Sequence, residues 1–503
     1  MLFPQLISVL KASAILAGND VPRYVGSRLI HRCDEMWLSE PLPFIEDFID
    51  ELGQGLQAQD PKLKLSKAQR WWLGFCLMGI ILTNSICWAR FERMSLGQYK
   101  MAALSWMFRK SKIPWVMLLQ IAVRVILKRY GITGGILVTD DSDHRRSKKT
   151  PKLYRTHKIK DKCTGGYING QNIVLLLLVT EKVSLPVGFA VYQPDPEKQA
   201  WVKADKQLQK KGVKKKDRPA APPSKAQYPS KSQLVLQLAK QFRQYHRQIT
   251  VKAVVADALY GQSDLMDAVS AVFDGTQVIS QLRQNQNIQI RQRQQNLMQY
   301  FATHPGVEQP IRIRGQSPIL ATVSSLRVKV CAHEGKKRFV IALKYTGESE
   351  YRYLVATDLT WRTIDIIQAY SIRWIVEVFI EDWKSYEGWA QLAKQPGFEG
   401  TSHGLSLSLL LDLCLLLHPR QLAQVERKLP AYTVGSLLRM IQMESLLSHV
   451  EQLLQSTNPA EQLTQMAALV REFFTLKPSG KHMSGRNLGR LEPTPGLAHR
   501  AIA

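Results

Sequence analysis

Hydrophobic residues recur at helical spacing along the first quarter of the chain. Up to about residue 130 the apolar positions follow a period near 3.6, with almost no alternation of the kind that marks a strand. Clear segments run over 43–56 and 114–130, and Pro114 suits a first helical turn. The pattern predicts a helical N-terminal domain over residues 1–130.

From residue 131 the pattern changes to short β-rich runs separated by turn residues. Three runs, GGILVTDD, YINGQNIVLLLLVT and VSLPVGFAVYQ, predict three consecutive strands of one sheet. A helix over 232–246 follows, then a fourth strand over 249–256 and a fifth around 276–282. This order predicts an α/β domain over residues 131–400.

Two further segments interrupt that domain. Residues 195–230 include eight Lys or Arg against two Asp between 203 and 218, then PAAPPS, a composition that predicts a basic loop or linker. Residues 283–360 contain alternating runs such as ILATVSSLRVKVCA and KRFVIALKY, which predict a mainly β insertion. A helix over 363–386 is expected after it.

The rest of the chain returns to helical spacing. The apolar run LSLSLLLDLCLLL and the amphipathic segment 434–455 predict a helical region over 401–476. The final residues, 477–503, carry Gly, Pro and five Lys or Arg against one Glu, so a disordered basic tail is expected.

Composition and charge indicate which class of molecule the protein binds. The 503 residues are 45% hydrophobic and 22% charged, which excludes a disordered, collagenous or simple coiled-coil chain. Lys and Arg number 68 against 41 acidic residues, a net charge of +27. Nucleic acid is the polyanion that such a surface most readily binds.

Targeting and membrane signals are weak. Six dispersed cysteines without a C-x-x-C pair predict reduced thiols and a cytoplasmic protein, and the first 18 residues suit a helix better than a signal peptide. The stretch WWLGFCLMGIILTNSICWA, residues 71–89, approaches the length of a membrane span, but Thr83, Asn84 and Ser85 lie within it. A buried helix is the preferred interpretation, so no membrane partner is expected.

Two aspartates come directly after apolar strands. Asp140 ends ILVTDDS and Asp257 ends VKAVVADALYG. The carboxyl ends of neighbouring parallel strands meet at one edge of a sheet, where open α/β folds bind ligands. If the two strands are neighbours, these carboxylates can share a divalent ion, whereas each aspartate alone is ordinary for a turn or helix cap.

The predicted helix over 363–386 carries a polar stripe. At about 100° per residue, one face about 60° wide holds four residues at i, i+3, i+7 and i+14. They are Tyr370, Arg373, Glu377 and Lys384. A solvated face would give the same spacing, but a carboxylate between two cations suits a metal ligand among phosphate-binding groups. Glu381 lies on the margin of the stripe and stays an alternative.

Two Asp and one Glu are the hard oxygen ligands that two-metal phosphoryl transfer requires. The sequence contains neither a G-x-x-x-x-G-K-[ST] phosphate loop nor a Gly-rich dinucleotide fingerprint. The residues therefore favour metal-dependent chemistry on phosphodiesters over ATP-driven or hydride-transfer chemistry.

The spacing Tyr370-x2-Arg373-x3-Glu377-x6-Lys384 resembles the Y-R-E-K signature of DDE transposases of the insertion sequence 4 type, a cut-and-paste group of bacterial mobile elements. The stretch from Asp257 to Gly261 resembles the second-aspartate motif of that group. The strand end at Asp140 resembles its first-aspartate motif, with Ser142 two positions later. The resemblance covers about residues 131–384.

This resemblance implies a ribonuclease-H-like catalytic domain with a β insertion, flanked by helical regions. It implies that Asp140, Asp257 and Glu377 bind two Mg²⁺ ions, for which Mn²⁺ can substitute, and favours Glu377 over Glu381. The phosphates of the transposon end would be held by the other three residues of the stripe, namely Tyr370, Arg373 and Lys384. Asp141 stays open as the first ligand, since it adjoins Asp140.

The implied activity is transposition of an insertion sequence: hydrolysis at the element's ends, then attack of the freed 3′-hydroxyl on target DNA. The implied partners are double-stranded DNA, as terminal inverted repeats and target, and a second copy in a homodimer. The helical N-terminal domain, residues 1–130, would bind the DNA ends, and the helical region 401–476 is a candidate for dimerisation. The implied location is a bacterial cytoplasm, at the nucleoid. Some relatives stack an extruded base on a tryptophan in the insertion. Here no Trp lies between 283 and 360, which leaves Tyr345, Tyr351 and Tyr353 as weak substitutes.

Other interpretations of the same residues remain. Residues 142–162 hold nine Lys or Arg against two Asp, suited either to a DNA backbone or to a solvated loop, and His144 and His157 share both options. A catalytically inactive or domesticated DNA-binding protein would keep the basic surfaces without the chemistry. A membrane protein would rest on residues 71–89 alone.

Overall fold

The computed structural model describes residues 40–146, 152–161, 164–313, 318–389 and 396–474. The expected N-terminal helix over residues 1–18 and the expected disordered tail over 477–503 lie outside these residues. Five helices precede the sheet: α1 (Pro43–Gln59), α2 (Lys67–Thr83), α3 (Trp88–Met94), α4 (Met101–Lys110) and α5 (Trp115–Arg129). The helical character predicted for this part of the chain is confirmed, while its status as a separate domain stays a prediction.

Helix α2 corresponds to the apolar stretch that resembled a membrane span. Ser66 caps its N-terminus in a capping box with Gln69, and Asn84 ends it in the left-handed region at φ 46°. Ten of its residues are buried against the rest of the chain. Among the described residues no single helix is long and apolar enough to span a membrane, although two sharply bent helix pairs meet the length and composition criteria.

The central sheet begins with the strands that the sequence predicted. These are β1 (Gly134–Arg145), β3 (Tyr167–Val179), β4 (Ser184–Tyr192), β5 (Thr250–Ala256) and β6 (Gln277–Leu282), with a short β2 (His157–Lys160) at one edge. Strand β3 is antiparallel to β1 and β4, whereas β5 is parallel to β1 and β6 is parallel to β5. The core order is thus β4-β3-β1-β5-β6.

The β insertion continues this sheet. It comprises β7 (Asn287–Ile290), β8 (Arg293–Asn296), α9 (Leu297–Thr303), β9 (Val307–Ile311), β10 (Ile319–Val330), β11 (Lys337–Tyr345) and β12 (Arg352–Ala356). Strand β12 pairs with β6, and β11, β10 and β7 follow outward in that order. The described residues thus form a 12-stranded mixed sheet. The expected mixed α/β fold with a mainly β insertion and helices at both ends is confirmed.

Helices cover the sheet and complete the chain. Between strands lie α6 (Pro196–Lys210), α7 (Lys231–Tyr245) and α8 (Ser263–Val272). After the insertion come α10 (Thr363–Ser371), α11 (Trp374–Tyr386), α12 (Gly397–Leu416), α13 (Pro419–Glu426), α14 (Val434–Gln455) and α15 (Pro459–Phe473). One hydrophobic core joins α1 to α5, the strands β1, β3 and β4, and the almost entirely buried α12.

Two expectations need correction. The segment 195–230 is not only a loop, because it contains α6, whose first turn is capped by the Asp195 side chain. The expected single helix over 363–386 is two helices, α10 and α11. Between them Ile372, Arg373 and Ile375 donate their backbone N–H to carbonyls three residues back, which tightens the turn.

Candidate active site

Asp140 and Asp257 lie side by side at one edge of the sheet. The last paired positions of the parallel strands β1 and β5 are Thr139 and Ala256, and the two aspartates follow them directly. Adjacent strands are about 4.8 Å apart, so the carboxylates emerge as neighbours. Each carboxylate is anchored locally, since Asp140 Oδ1 accepts the Asp141 N–H (2.8 Å) and Asp257 Oδ1 accepts the Ala258 N–H. The condition set by the sequence, that the two strands be neighbours, is met.

Arg373 links this edge to helix α11. Its guanidinium donates to Asp140 Oδ2 at 3.0 Å and to Glu377 Oε1, one turn further along the helix. The side chains of Arg373 and Asp140 are only 20% and 14% exposed, so the pair is shielded from solvent. The tight turn between α10 and α11 places Arg373 at the start of α11, where one side chain can reach both carboxylates.

Burial dominates the electrostatics at Asp140. Desolvation is the main cause that raises the pKa of Asp140 to about 6; the Asp257 and Asp141 charges act in the same direction, whereas the Asp141 N–H and the Arg373 charge oppose it. A divalent cation beside Asp140 and Asp257 would offset this cost of burial, since carboxylate oxygens are the ligands it prefers.

Tyr370 completes the group on α10. Its hydroxyl donates to Gln281 Oε1 at 3.3 Å, and Gln281 lies on β6, next to β5. Burial raises the pKa of Tyr370 to about 12, and the negative charge of Asp257 contributes in the same direction. The hydroxyl is thus a neutral hydrogen-bond donor beside the carboxylates.

Lys384 lies two turns beyond Glu377. Its Nζ donates to the backbone carbonyl of Asp143 at 2.8 Å, which joins the end of α11 to the last residues of β1. The structure therefore brings together Asp140, Asp257 and Arg373, with Glu377 attached through Arg373, and sets Lys384 further along β1. Glu381, the alternative carboxylate, is exposed.

Asp141 points away from this group and is occupied. Consecutive residues of a strand face opposite sides of the sheet. Asp141 Oδ1 accepts the Tyr260 hydroxyl at 3.1 Å, and Oδ2 accepts Lys231 Nζ at 2.6 Å and Asn172 Nδ2 at 2.8 Å. Asp140 instead contacts Arg373 and lies close enough to Asp257 for the two charges to interact, which favours Asp140 as the ligand.

The partners of Asp141 were only partly visible in the sequence. Tyr260 belongs to the second-aspartate motif, and its bond to Asp141 ties the 3₁₀ turn after Asp257 to strand β1. Asn172 was a polar residue within an apolar run. Lys231, the first residue of α7, gave no signal, because its contact spans 90 positions of the chain.

The histidines of the basic segment are not solvated. His144 is buried against the ring of Trp389, with ring centroids 4.8 Å apart, and burial together with Arg146 and Lys384 lowers the pKa of His144 to about 2. His157 is half-buried and its Nδ1 lies 2.9 Å from the Arg155 carbonyl. Of the three tyrosines considered as substitutes for a base-stacking tryptophan, Tyr353 is buried and its ring already packs on Phe301.

The carboxylate oxygens at this edge of the sheet suit a divalent metal, although in this conformation they do not surround a single point. Among the residues that the structure describes, no three His, Cys, Asp or Glu side chains converge on a point that could hold an ion. Arg373 lies between Asp140 and Glu377 and supplies positive charge there. Carboxylate oxygens are nevertheless the ligands that Mg²⁺ and Mn²⁺ prefer, and Asp140 and Asp257 already adjoin.

Of the comparisons with known proteins, the match to a family model agrees with this chemistry. A family model described as "DDE superfamily endonuclease" matches residues 60–327, a span that includes Asp140 and Asp257 and ends before Glu377. No curated protein matches the chain. Among solved structures, the chain is similar to a piggyBac transposase synaptic complex with hairpin DNA, at a TM-score of 0.41 and 11% identity over 91% of this chain and 88% of that one.

Proposed function

The chain belongs to the DDE superfamily endonucleases, whose family model covers more than half of it, and from this we propose that it is a DNA transposase. It would hydrolyse the phosphodiester bond at each end of a mobile element of the insertion sequence 4 type. It would then join the freed 3′-hydroxyl to target DNA. The observation that carries the proposal is the side-by-side placement of Asp140 and Asp257, faced by Arg373 and Glu377.

The residues present would divide the work between metal and phosphate. Asp140 and Asp257 would hold divalent ions, Mg²⁺ or Mn²⁺, and Glu377 would join them once Arg373 releases one of its two carboxylates. When bound, the metal pair supplies an activated nucleophile and charge stabilisation at the leaving oxygen.

The remaining side chains would bind and orient the DNA. Arg373 carries a planar fork of donors that matches a phosphate, so a phosphate oxygen can replace a carboxylate oxygen on it. Tyr370, whose raised pKa keeps its hydroxyl protonated, would donate to a phosphate oxygen at neutral pH. Lys384 would contact the strand further along β1.

The strand order β4-β3-β1-β5-β6 supports a ribonuclease-H-like core within this proposal. Strand β3 is antiparallel to β4 and β1, and the aspartates lie on β1 and directly after β5, two strands that pair in parallel. Duplex DNA, as the terminal repeats and the target, is the proposed partner. The net charge of +27 is consistent with it. A homodimer in the DNA complex and a cytoplasmic location belong to the same proposal.

The test is metal-dependent cleavage of a labelled duplex that carries the DNA flanking this reading frame. We expect the wild type to cut at a defined end in Mg²⁺ or Mn²⁺, and Asp257→Asn to bind the duplex without cutting it. Asp264→Asn is the matched control, because Asp264 is exposed on α8 only seven positions away. Binding without cutting by the wild type in either metal would instead favour the domesticated DNA-binding protein.

A further inference from the structure

The segment between β4 and α7, residues 195–230, forms a basic arm on the surface of the sheet domain. Its helix α6 buries none of its 15 residues in the hydrophobic core. Because α6 is polar and buries no residue, packing in the core is not what stabilises this helix. The basic arm therefore requires a different explanation.

One face of α6 is used to fold the basic arm back on itself. Trp201, Asp205 and Leu208 lie within about 60° of one another on the helix. Trp201 Nε1 donates to the Pro219 carbonyl at 2.9 Å, and both carboxylate oxygens of Asp205 accept from one Arg218 nitrogen, each at 2.9 Å. These contacts fix the returning chain against the helix.

The opposite face of α6 carries lysines. Lys203, Lys206 and Lys210 follow the spacing i, i+3 and i+7, which places them in one stripe about 60° wide. All three are exposed, and none forms an ion pair with another side chain in the described part of the protein. Three cations held on one rigid stripe repel one another unless an anionic surface neutralises them.

Both ends of the basic arm are tied close to the active site. Arg155 donates to the Val191 carbonyl at 2.6 Å and to the Gln227 carbonyl at 3.0 Å, so a single side chain joins the two ends. Immediately after the basic arm, Lys231 pairs with Asp141, the neighbour of Asp140. The basic arm is thus held at β4 and at α7, and the first residue of α7 contacts β1, the strand that bears Asp140.

We propose that the lysine stripe of the basic arm, Lys203, Lys206 and Lys210, is a docking surface for the sugar-phosphate backbone of duplex DNA next to the cleavage site. Charge complementarity selects this occupant, since the stripe presents three exposed ammonium groups and no acidic residue of α6 lies on that face. Such contacts position DNA without reading its sequence. The inference rests on the proposed function and extends it to a specific DNA contact.

The experiment measures binding of the full-length protein to the labelled flanking duplex over a series of salt concentrations. The test variant is Lys203→Gln, Lys206→Gln and Lys210→Gln together, and the matched control replaces the same three residues by Arg. We expect the Gln variant to bind roughly 10-fold more weakly in 0.1 M salt, with a salt slope lower by about 0.9 for each phosphate that it no longer neutralises. The Arg variant should bind as the wild type does.

The outcomes separate the two proposals. A wild type that cleaves, together with a Gln variant of unchanged affinity and slope, overturns the docking surface alone. Equal weakening in the Gln and Arg variants also overturns it, because charge would not be the cause. A wild type that neither binds nor cleaves the duplex removes both proposals. Thermal melting of the variants checks the fold, and the exposure of all three lysines predicts no change.

Discussion

Asp140 has a raised pKa although Arg373 contacts it, because the cost of burying the carboxylate exceeds the attraction of the guanidinium. An acid whose pKa is higher in the folded state binds its proton more tightly there. The free energy of unfolding therefore falls as the pH rises from about 4, the ordinary value, to about 6, and stays lower above that pH.

We expect Asp140→Asn to abolish cleavage and to stabilise the protein. In the absence of divalent metal at pH 7 the gain should be about 1 to 3 kcal/mol, the equivalent of a shift of up to about two pKa units. Below about pH 4 the gain should vanish, since wild-type Asp140 is then neutral in both states. Urea unfolding at pH 3.5, 5 and 7 in EDTA measures it, and a gain independent of pH would contradict the electrostatic cause.

The environments of Asp140 and Asp141 lead to different expectations for the same substitution. Asp141 is held by Tyr260, Lys231 and Asn172, so under the proposed function it would orient the site without contacting the metal. Removing such an orienting group costs about 10-fold to 100-fold in activity or metal affinity. We therefore expect Asp141→Asn to retain measurable cleavage where Asp140→Asn retains none. The reverse ranking in a cleavage time course would make Asp141 the ligand.

Prediction from sequence succeeded where the residue's position on an element determined its neighbours. Asp140 and Asp257 each follow an apolar run, and parallel pairing of β1 with β5 was enough to bring them together, although β1 continues past Asp140 to Arg145. Lys231 could not be found in this way. Its contact with Asp141 depends on how α7 packs on the sheet, which no local pattern records.

At the scale of elements, α11 and α12 enclose a buried carboxyl pair. Glu387 is fully buried just after α11, and Asp412 lies beside it on α12. Burial raises the pKa of both groups, and for Glu387 the adjacent Asp412 adds to the effect. The pair therefore retains a proton in the folded state at pH values where ordinary carboxyls have lost theirs.

Because the pKa values of these two carboxyls are raised, the stability of this helix junction should decrease as the pH rises. Folding retains protons that the unfolded chain has released, so stability should fall as the pH rises from about 4 through neutrality. We expect Asp412→Asn to reduce that slope and to raise the melting temperature at pH 8. Asp382→Asn, at a half-exposed position nearby, is the control and should leave most of the slope. An unchanged slope in Asp412→Asn would show that the pair is not its source.

The turn between α10 and α11 shows why hydrophobic spacing missed one feature. Apolar residues continue through Ile372, Ile375 and Val376 without a glycine or proline, so the periodicity predicts a single helix. The structure instead uses backbone bonds three residues apart at this point, and all residues stay in the right-handed region. The change involves hydrogen-bond partners and not residue types, so the sequence carried no signal for it.

At the scale of the whole molecule, the two interruptions of the sheet domain differ in kind. The insertion contributes strands and buried residues to one continuous sheet, in which β12 covers the edge of β6. In the basic arm, by contrast, helix α6 contributes no buried residue to the core. Composition separated a mainly β segment from a polar one, but strand pairing between distant segments could not be read from it.

We expect deletions of the two segments to have opposite effects on folding. Replacing residues 199–224 by a short Gly-Ser linker should leave a soluble protein that melts within a few degrees of the wild type. Replacing residues 285–350 would remove β7 to β11, which should expose the edge of β12 and cause aggregation. Size-exclusion chromatography and thermal melting measure both outcomes. A soluble, monodisperse insertion deletion would contradict the integration of these strands into the sheet.

Under the proposed function, Asp140 on β1, Asp257 after β5 and Glu377 in the first turn of α11 form one site for DNA cleavage. The most direct measurement is Mg²⁺-dependent cleavage of the flanking duplex by the wild type, Glu377→Gln and Glu381→Gln. Both glutamates lie on α11, but only Glu377 reaches Arg373 and, through it, Asp140. We expect Glu377→Gln to bind without cutting and Glu381→Gln to cut as the wild type does. Retained cleavage in Glu377→Gln would remove this residue from the site and contradict the account.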